Sequence, residues 1–262
     1  RTLGVRFIDF IPYSSFFPVL QYYFFKSGNR SIKSEHVKFI EDWFWSATFS
    51  QRYSSSSLSL MKEDATWIYN LSQGILETNT FGVSLTIKEL LKVRMQNISV
   101  IKNGVLCLMA LENPKDFDNG QMVILDRSNV SRSNSKENHH FFPYSLRQKF
   151  GTDSNGINSL LNFVLISGRL NREISNKLPS DYLKQYEETN TSIKEHLLSH
   201  FINQDALVAA KADNFQLFIQ KRGEYILEKI KLKVSVQSFT EPEEDILEDN
   251  IEFEEPLIEE VA

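Results

Sequence analysis

The pattern that most constrains the fold lies between residues 34 and 50. Val37, Ile40, Trp43 and Phe44 recur at the three- and four-residue spacing of one helix face, and Trp45 and Phe49 add further aromatic bulk. Ser34 is a residue of the type that opens a helix. Residues 7–25 are equally aromatic, with Phe16, Phe17, Tyr22, Tyr23, Phe24 and Phe25, and Ser27-Gly28-Asn29 separates the two stretches. Asp9, Pro12, Pro18 and Gln21 interrupt the first stretch, so it reads as buried helix rather than a membrane span. Aromatics make up 12% and hydrophobic residues 41% of the 262 residues, enough for a substantial core and too many for a disordered chain. That length fits one large domain or two smaller ones.

The remaining pattern is also mostly helical. Helices are expected over residues 61–77, 85–97, 192–201 and 214–231, with another opened by Pro179-Ser180-Asp181. Residues 100–111 form an apolar run broken only by Lys102, Asn103 and Gly104, which predicts a buried helix. Ser54 to Ser57 is a low-complexity connector behind Gln51-Arg52-Tyr53. Arg52 and these hydroxyls are groups of the kind that meet phosphates, although such a stretch is more often a plain connector. Two short apolar runs, 122–125 and 162–166, are candidate strands, and 126–138 is a long polar loop. The expected class is mainly α (α+β), a helical body with a small β element.

Charge is segregated along the chain. Residues 241–262 hold eleven acids and no Lys or Arg, which leaves 29 basic against 23 acidic residues over 1–240, a net of +6. The overall formal charge of −5 therefore hides a mildly basic body, compatible with a polyanion partner, and an acidic tail expected to be disordered. One cysteine excludes a disulfide framework and a Cys-rich zinc site, and with no signal peptide at the start it points to a reducing, cytoplasmic location.

Of the five histidines, His36, His196 and His200 are scattered along the chain. His196 and His200 have the i,i+4 spacing of a metal pair, but no Glu lies between them in the metalloprotease pattern, and Leu197 and Leu198 read as helix packing. His139-His140 is a different case. In an extended segment neighbouring side chains point to opposite sides, so one imidazole can serve as a metal ligand while the other serves as a base. Phe142-Pro143 then ends the strand. Asn162 follows His140 by 22 positions and Asn171 by nine more, and an amide oxygen is a hard ligand suited to Mg²⁺ or Mn²⁺.

Read together, His139, His140, Asn162 and Asn171 resemble the HNH nuclease motif, a β-hairpin and helix around one divalent ion. The longer run His139-His140-Phe141-Phe142-Pro143, then Asn162-Phe-Val-Leu-Ile-Ser167, Asn171, Ile174, Lys177, Pro179, Ser180 and Tyr182, is similar to the HNH module of GmrSD-like restriction proteins. Those proteins typically show His-His-Ile-Phe-Pro, Asn-x-x-x-Ile, and Asn-x-x-Ile-x-x-Lys-x-Pro-Ser-x-Tyr; Phe141 stands here in place of the usual Ile. Trp43-Phe44-Trp45 with Arg52-Tyr53-Ser54, and Phe215 with Arg222, resemble the regions before and behind the module. The resemblance covers roughly residues 8–232 and is strongest over 139–182. The family normally begins with a ParB-like nucleotidase domain bearing Asp-Gly-Gln-Gln-Arg. This sequence lacks that signature and starts at Arg1, so the expectation is a C-terminal half whose nucleotidase domain lies upstream or on a partner subunit.

The resemblance implies a helical domain over 1–120, an embedded ββα-metal module over 121–185, C-terminal helices over 186–235 and the acidic tail over 236–262. It implies His139 and Asn171 as ligands of a divalent ion, Mg²⁺ or Mn²⁺, His140 as general base, and Asn162 as a brace for the loop that holds His140. Arg147, Arg169, Arg172 and Lys177 are near in sequence and are candidate phosphate contacts; residues 124–184 carry nine basic and five acidic side chains. The implied function is a metal-dependent DNA endonuclease in phage defence, with modified phage DNA as a candidate target and no membrane partner. The alternatives are a DNA-binding or interaction module with an inactive site, and an HNH enzyme that cuts RNA.

Overall fold

A computed structural model describes residues 2–6, 8–28, 31–55, 57–123, 139–234 and 239. The described chain is mainly helical. A 3₁₀ turn at Ile8–Phe10 leads to α1 (Phe16–Ser27), α2 (Ser34–Phe49), α3 (Ser57–Ser72), α4 (Ile87–Lys92) and α5 (Val100–Leu111). Then come strand β1 (His139–His140), α6 (Ser154–Ile157), strand β2 (Phe163–Val164), α7 (Gly168–Ile174), α8 (Pro179–Thr189), α9 (Ile193–Leu198), α10 (Gln204–Lys211) and α11 (Phe215–Lys233). Among the described residues, no helix is long and apolar enough to cross a membrane. The polar loop 126–138 and the acidic tail, apart from Phe239, lie outside the described residues.

Several elements are shorter than the sequence pattern predicts. The expected helix over 7–25 is a 3₁₀ turn and α1, which begins only at Phe16; Pro18 is tolerated there because first-turn N–H groups have no intrahelical partner. Gly28, at φ 66°, takes the left-handed position that closes α1. The helix expected over 61–77 is shifted to Ser57–Ser72. The one expected over 85–97 shrinks to α4, opened by a Thr86–Glu89 capping box. Tertiary pairing ends it: Val93 accepts from the Leu160 N–H at 2.8 Å, and Arg94 bridges Ser159 in antiparallel fashion. Of the strand expected at 122–125, Met122 forms an isolated bridge to Lys115, and residues 124 and 125 lie outside the described residues. The strand expected over 162–166 is only Phe163–Val164, because Asn162 belongs to a 3₁₀ turn and Ser167 already caps α7.

One hydrophobic core runs through the described chain from Phe10 to Val234. The aromatic residues of α1 and α2 supply its first part: Phe16 packs against Trp43 and Phe44 with ring centroids 4.9 Å apart in each pair. Helix α5 crosses α2 closely at Gly104, where a Cβ would stand 2.7 Å from Thr48 Cγ2. Helix α11 packs on α2, α4, α5, α10 and the 3₁₀ turn at Leu160–Asn162. It thereby joins the aromatic helices to the segment containing β1 and β2.

Within the aromatic layer sits the fully buried carboxylate of Asp64. It accepts from Trp43 Nε1 at 3.0 Å, from Arg52 Nε and Nη2 at 3.0 and 2.8 Å, from Asn79 Nδ2 at 3.0 Å, and from the Tyr53 hydroxyl. The Arg52 guanidinium also lies 3.8 Å from the Phe81 ring centroid and bonds Glu63. A buried carboxylate is tolerable only when paired and hydrogen-bonded, and here five donors converge on it. Arg52, a candidate phosphate contact from sequence, is thus engaged inside the helical body. Replacing Asp64 with Ala leaves two buried ring donors unpaired and Arg52 with Glu63 alone of its two carboxylates. We expect it to cost about 3–5 kcal/mol, read as a lowered midpoint in urea unfolding followed by tryptophan fluorescence.

Candidate functional site

The two short strands pair antiparallel, His139 opposite Val164 and His140 opposite Phe163. A two-residue pair has little stability of its own; its geometry is imposed from outside. The largest contributor is Asn162, which is fully buried. Its Oδ1 accepts from the Phe142 N–H at 2.8 Å, and its Nδ2 donates to the carbonyls of Phe142 at 3.0 Å and Ile157 at 2.9 Å. Its own carbonyl accepts from the Phe141 N–H at 2.7 Å. One side chain and one peptide group therefore tie the segment behind His140 to the turn before β2.

Neighbouring elements fix the same segment. The buried Tyr182 hydroxyl on α8 donates to the Phe141 carbonyl at 2.9 Å. Phe141 stacks on Phe218 of α11 with centroids 4.8 Å apart and planes at 6°. Arg222, also on α11, is fully buried and gives its donors to carbonyls: Nη1 to Leu161 at 2.7 Å, and Nε and Nη2 to His200 at 3.2 and 2.8 Å. Desolvation without a carboxylate partner lowers the Arg222 pKa to about 9, which still leaves the guanidinium charged near neutrality. The residue next to Asn162 is therefore held by a cation from a helix sixty positions downstream.

His140 is partly buried. Its ring lies 4.4 Å from the Phe163 centroid and 5.8 Å from that of Tyr144, and Nε2 is 2.8 Å from Asn158 Oδ1. Burial against these rings lowers its pKa, with the Asn158 bond opposing. The imidazole is therefore neutral near pH 7 and able to accept a proton. The backbone of His139 belongs to β1, but its side chain is outside the described residues.

Three residues after β2 comes α7, capped by the Ser167 hydroxyl, which accepts from the Leu170 N–H at 3.2 Å. The buried carboxylate of Asp116 holds that cap, accepting from the Ser167 N–H at 2.8 Å and from its hydroxyl. Asn171 is on α7 and half-buried, and its side-chain amide makes no hydrogen bond among the described residues. Among the described residues, no group of three or more His, Cys, Asp or Glu side chains is placed to hold a metal ion.

The four candidate cations sit in different surroundings. Arg169 is engaged by Asp116, Asp118 and Glu173 at 3.3, 2.9 and 3.1 Å. Arg147 lies over the Tyr144 ring at 4.6 Å, a ring that His140 also neighbours. Arg172 is exposed, and Lys177 donates to Gln185 at 3.3 Å on the surface. His196 and His200 are packing residues. His196 bonds Asn190 at 2.9 Å and presses on Gly120, where a Cβ would come within 2.4 Å of the ring. His200 donates Nε2–H to the Lys115 carbonyl at 2.7 Å, while its buried Nδ1 has no partner among the described residues. Burial first, then the nearby Arg222 charge, push its pKa down to about 4.

Sequence reasoning passed over Asn158 and Asp116. Asn158 is one of three asparagines in residues 155–162 and carries no distinguishing spacing. Asp116 contacts α7 across fifty positions, a pairing invisible to local pattern.

No protein-family model matches the chain, and no solved structure matches it. The chain is 30% identical over 219 aligned residues to an uncharacterized protein of Methanocaldococcus jannaschii. The match covers 73% of this chain and 36% of that protein, so the chain spans well under half the length of its relative.

Asn162 satisfies three backbone groups that its truncation would leave buried and unpaired, each at a cost of about 1–3 kcal/mol. Asn162→Ala should lower stability by about 3 kcal/mol or more and broaden the amide signals of residues 140–142. Asn162→Asp, which keeps the acceptor but sets a buried carboxylate oxygen against the carbonyls of Phe142 and Ile157, should lower stability at least as much. Calorimetry and a ¹H–¹⁵N spectrum check both; an unchanged melting temperature for the Ala variant contradicts the bracing role.

Proposed function

We propose that this protein is a metal-dependent endonuclease that hydrolyses phosphodiester bonds in DNA, through an embedded ββα-metal module of the HNH type. One observation carries the reading: a neutral, partly buried His140 sits on a strand pinned by the Asn162 side chain, and that strand pair runs straight into the helix bearing Asn171. The order strand, strand, helix, with histidine on the first strand and asparagine on the third element, is what the resemblance to GmrSD-like proteins implies.

Within this reading His140 removes the proton from the attacking water. Asn162 keeps the His140 strand in register through its bonds to Phe142 and Ile157. His139 and Asn171 would hold a divalent ion, Mg²⁺ or Mn²⁺. The donor set fits: an imidazole nitrogen and an amide oxygen suit such ions, and the Asn171 amide is not committed to a hydrogen bond among the described residues. When bound, the ion supplies charge neutralisation at the phosphate and at the leaving oxygen. Arg147, Arg172 and Lys177 are the cations to meet flanking phosphates; Arg169, surrounded by three carboxylates, serves instead to steady the start of α7. A defence role, modified phage DNA as target, a cytoplasmic site of action and a nucleotidase domain on the same or a partner chain follow from the resemblance and belong to this proposal.

The test is plasmid cleavage by purified protein with Mg²⁺ or Mn²⁺. A general base contributes about 10²–10⁴-fold, so His140→Ala should lose cutting by that factor while DNA binding by electrophoretic shift stays near wild type. Cutting by the variant at the wild-type rate overturns the assignment. Cleavage of RNA in preference to DNA under competition would move the substrate class.

A further inference from the structure

We infer that Asn158 is the positioning residue of His140: it fixes the ring in the Nε2–H tautomer, so that Nδ1 is the atom that takes the proton from water. The inference rests on the endonuclease reading and assigns a role to a residue that the HNH pattern of His139, His140, Asn162 and Asn171 does not include.

Donor and acceptor chemistry around Asn158 fixes the tautomer. Asn158 Nδ2 donates to the Ser154 carbonyl at 2.7 Å, which orients the amide and leaves Oδ1 facing the imidazole. Gln96 Nε2 donates to the same Oδ1 at 2.9 Å, so both contacts treat that atom as an acceptor. At 2.8 Å from it, His140 Nε2 must be the donor, because two lone pairs would repel. In a neutral imidazole the proton on Nε2 leaves Nδ1 bare, and Nδ1 has no hydrogen-bond partner among the described residues. Reversing the Asn158 amide to favour the other tautomer would set its NH₂ against Gln96 and its oxygen against the Ser154 carbonyl.

Asn158 is itself held from the helical body. The Met95 N–H donates to its carbonyl at 3.3 Å, beside the Arg94–Ser159 bridge. The strand-like segment that cuts α4 short is thus also the support behind the base. In the reaction, Nδ1 receives a proton from water, the resulting hydroxide oxygen bonds phosphorus, the bond from phosphorus to the leaving oxygen breaks, and that oxygen takes a proton from solvent.

The experiment uses the full chain labelled with ¹⁵N, at one fixed pH and without metal or DNA. A long-range ¹H–¹⁵N spectrum reports which His140 nitrogen carries the proton. Wild type should show Nε2–H alone. Asn158→Leu, similar in size and without an acceptor, should show a tautomer mixture and lose about 10²-fold in kcat on plasmid DNA with Mg²⁺, at little change in KM. Asn158→Asp, which keeps an acceptor for Nε2 but loses the donation to the Ser154 carbonyl, should restore the Nε2–H proton and part of the lost activity. Adding Asn158→Leu to His140→Ala should cost nothing more. A proton on Nδ1 in wild type, or a Leu variant with unchanged tautomer, overturns the inference, and in the second case the nuclease reading stands. A Leu variant that shifts tautomer yet cuts normally also overturns it. Full cutting by His140→Ala removes the nuclease reading and this inference together.

Discussion

The hydrogen bonds of one buried amide hold the candidate site. A two-residue strand pair does not persist through its own ladder, and Asn162 replaces the missing length by bonding Phe142 on both its N–H and its carbonyl and Ile157 on its carbonyl. Outside help is layered around it. Arg222 holds the Leu161 carbonyl, Tyr182 the Phe141 carbonyl, and Phe218 stacks on Phe141. Tyr182 comes from α8 and both Phe218 and Arg222 from α11, so the position of His140 depends on α8, α11 and the turn before β2 all being in place. Local stability here is borrowed from the core rather than generated by the strands.

Two buried carboxylates play parallel parts elsewhere. Asp64 gathers Trp43, Arg52, Tyr53 and Asn79 within the aromatic layer, and Asp116 anchors Ser167 at the start of α7. Both show why residue type alone misassigns cations. Arg52 and Arg169 look alike to Arg147 and Arg172 in sequence, yet the first two are taken up by carboxylates and the last two have no carboxylate partner among the described residues. The arginines that a phosphate can reach are those the fold has not already neutralised.

The helical class was legible because the apolar spacing of α2 and α5 is dictated by burial on one or all faces, which sequence records directly. Element ends were less legible. The expected helix over 85–97 stops at Lys92 because Val93 and Arg94 pair with residues more than sixty positions away, and the strand over 162–166 is clipped by a 3₁₀ turn and a helix cap. At the site, His140 lies on a strand, as its extended reading expected, while the burial of Asn162 has no counterpart in its spacing. Asn158 and Asp116 were hidden, because an amide or carboxylate whose partner is distant in sequence leaves no periodic trace.

The central claim is that His139 and Asn171, 32 positions apart, converge on one divalent ion beside a neutral His140. The most direct measurement is anomalous diffraction from crystals of the protein grown with Mn²⁺. The account predicts one strong peak ligated by the His139 imidazole and the Asn171 amide oxygen, lost in the Asn171→Leu variant. A peak held by other residues, or side chains of His139 and Asn171 facing separate surfaces in the Mn²⁺-bound crystal, would contradict it.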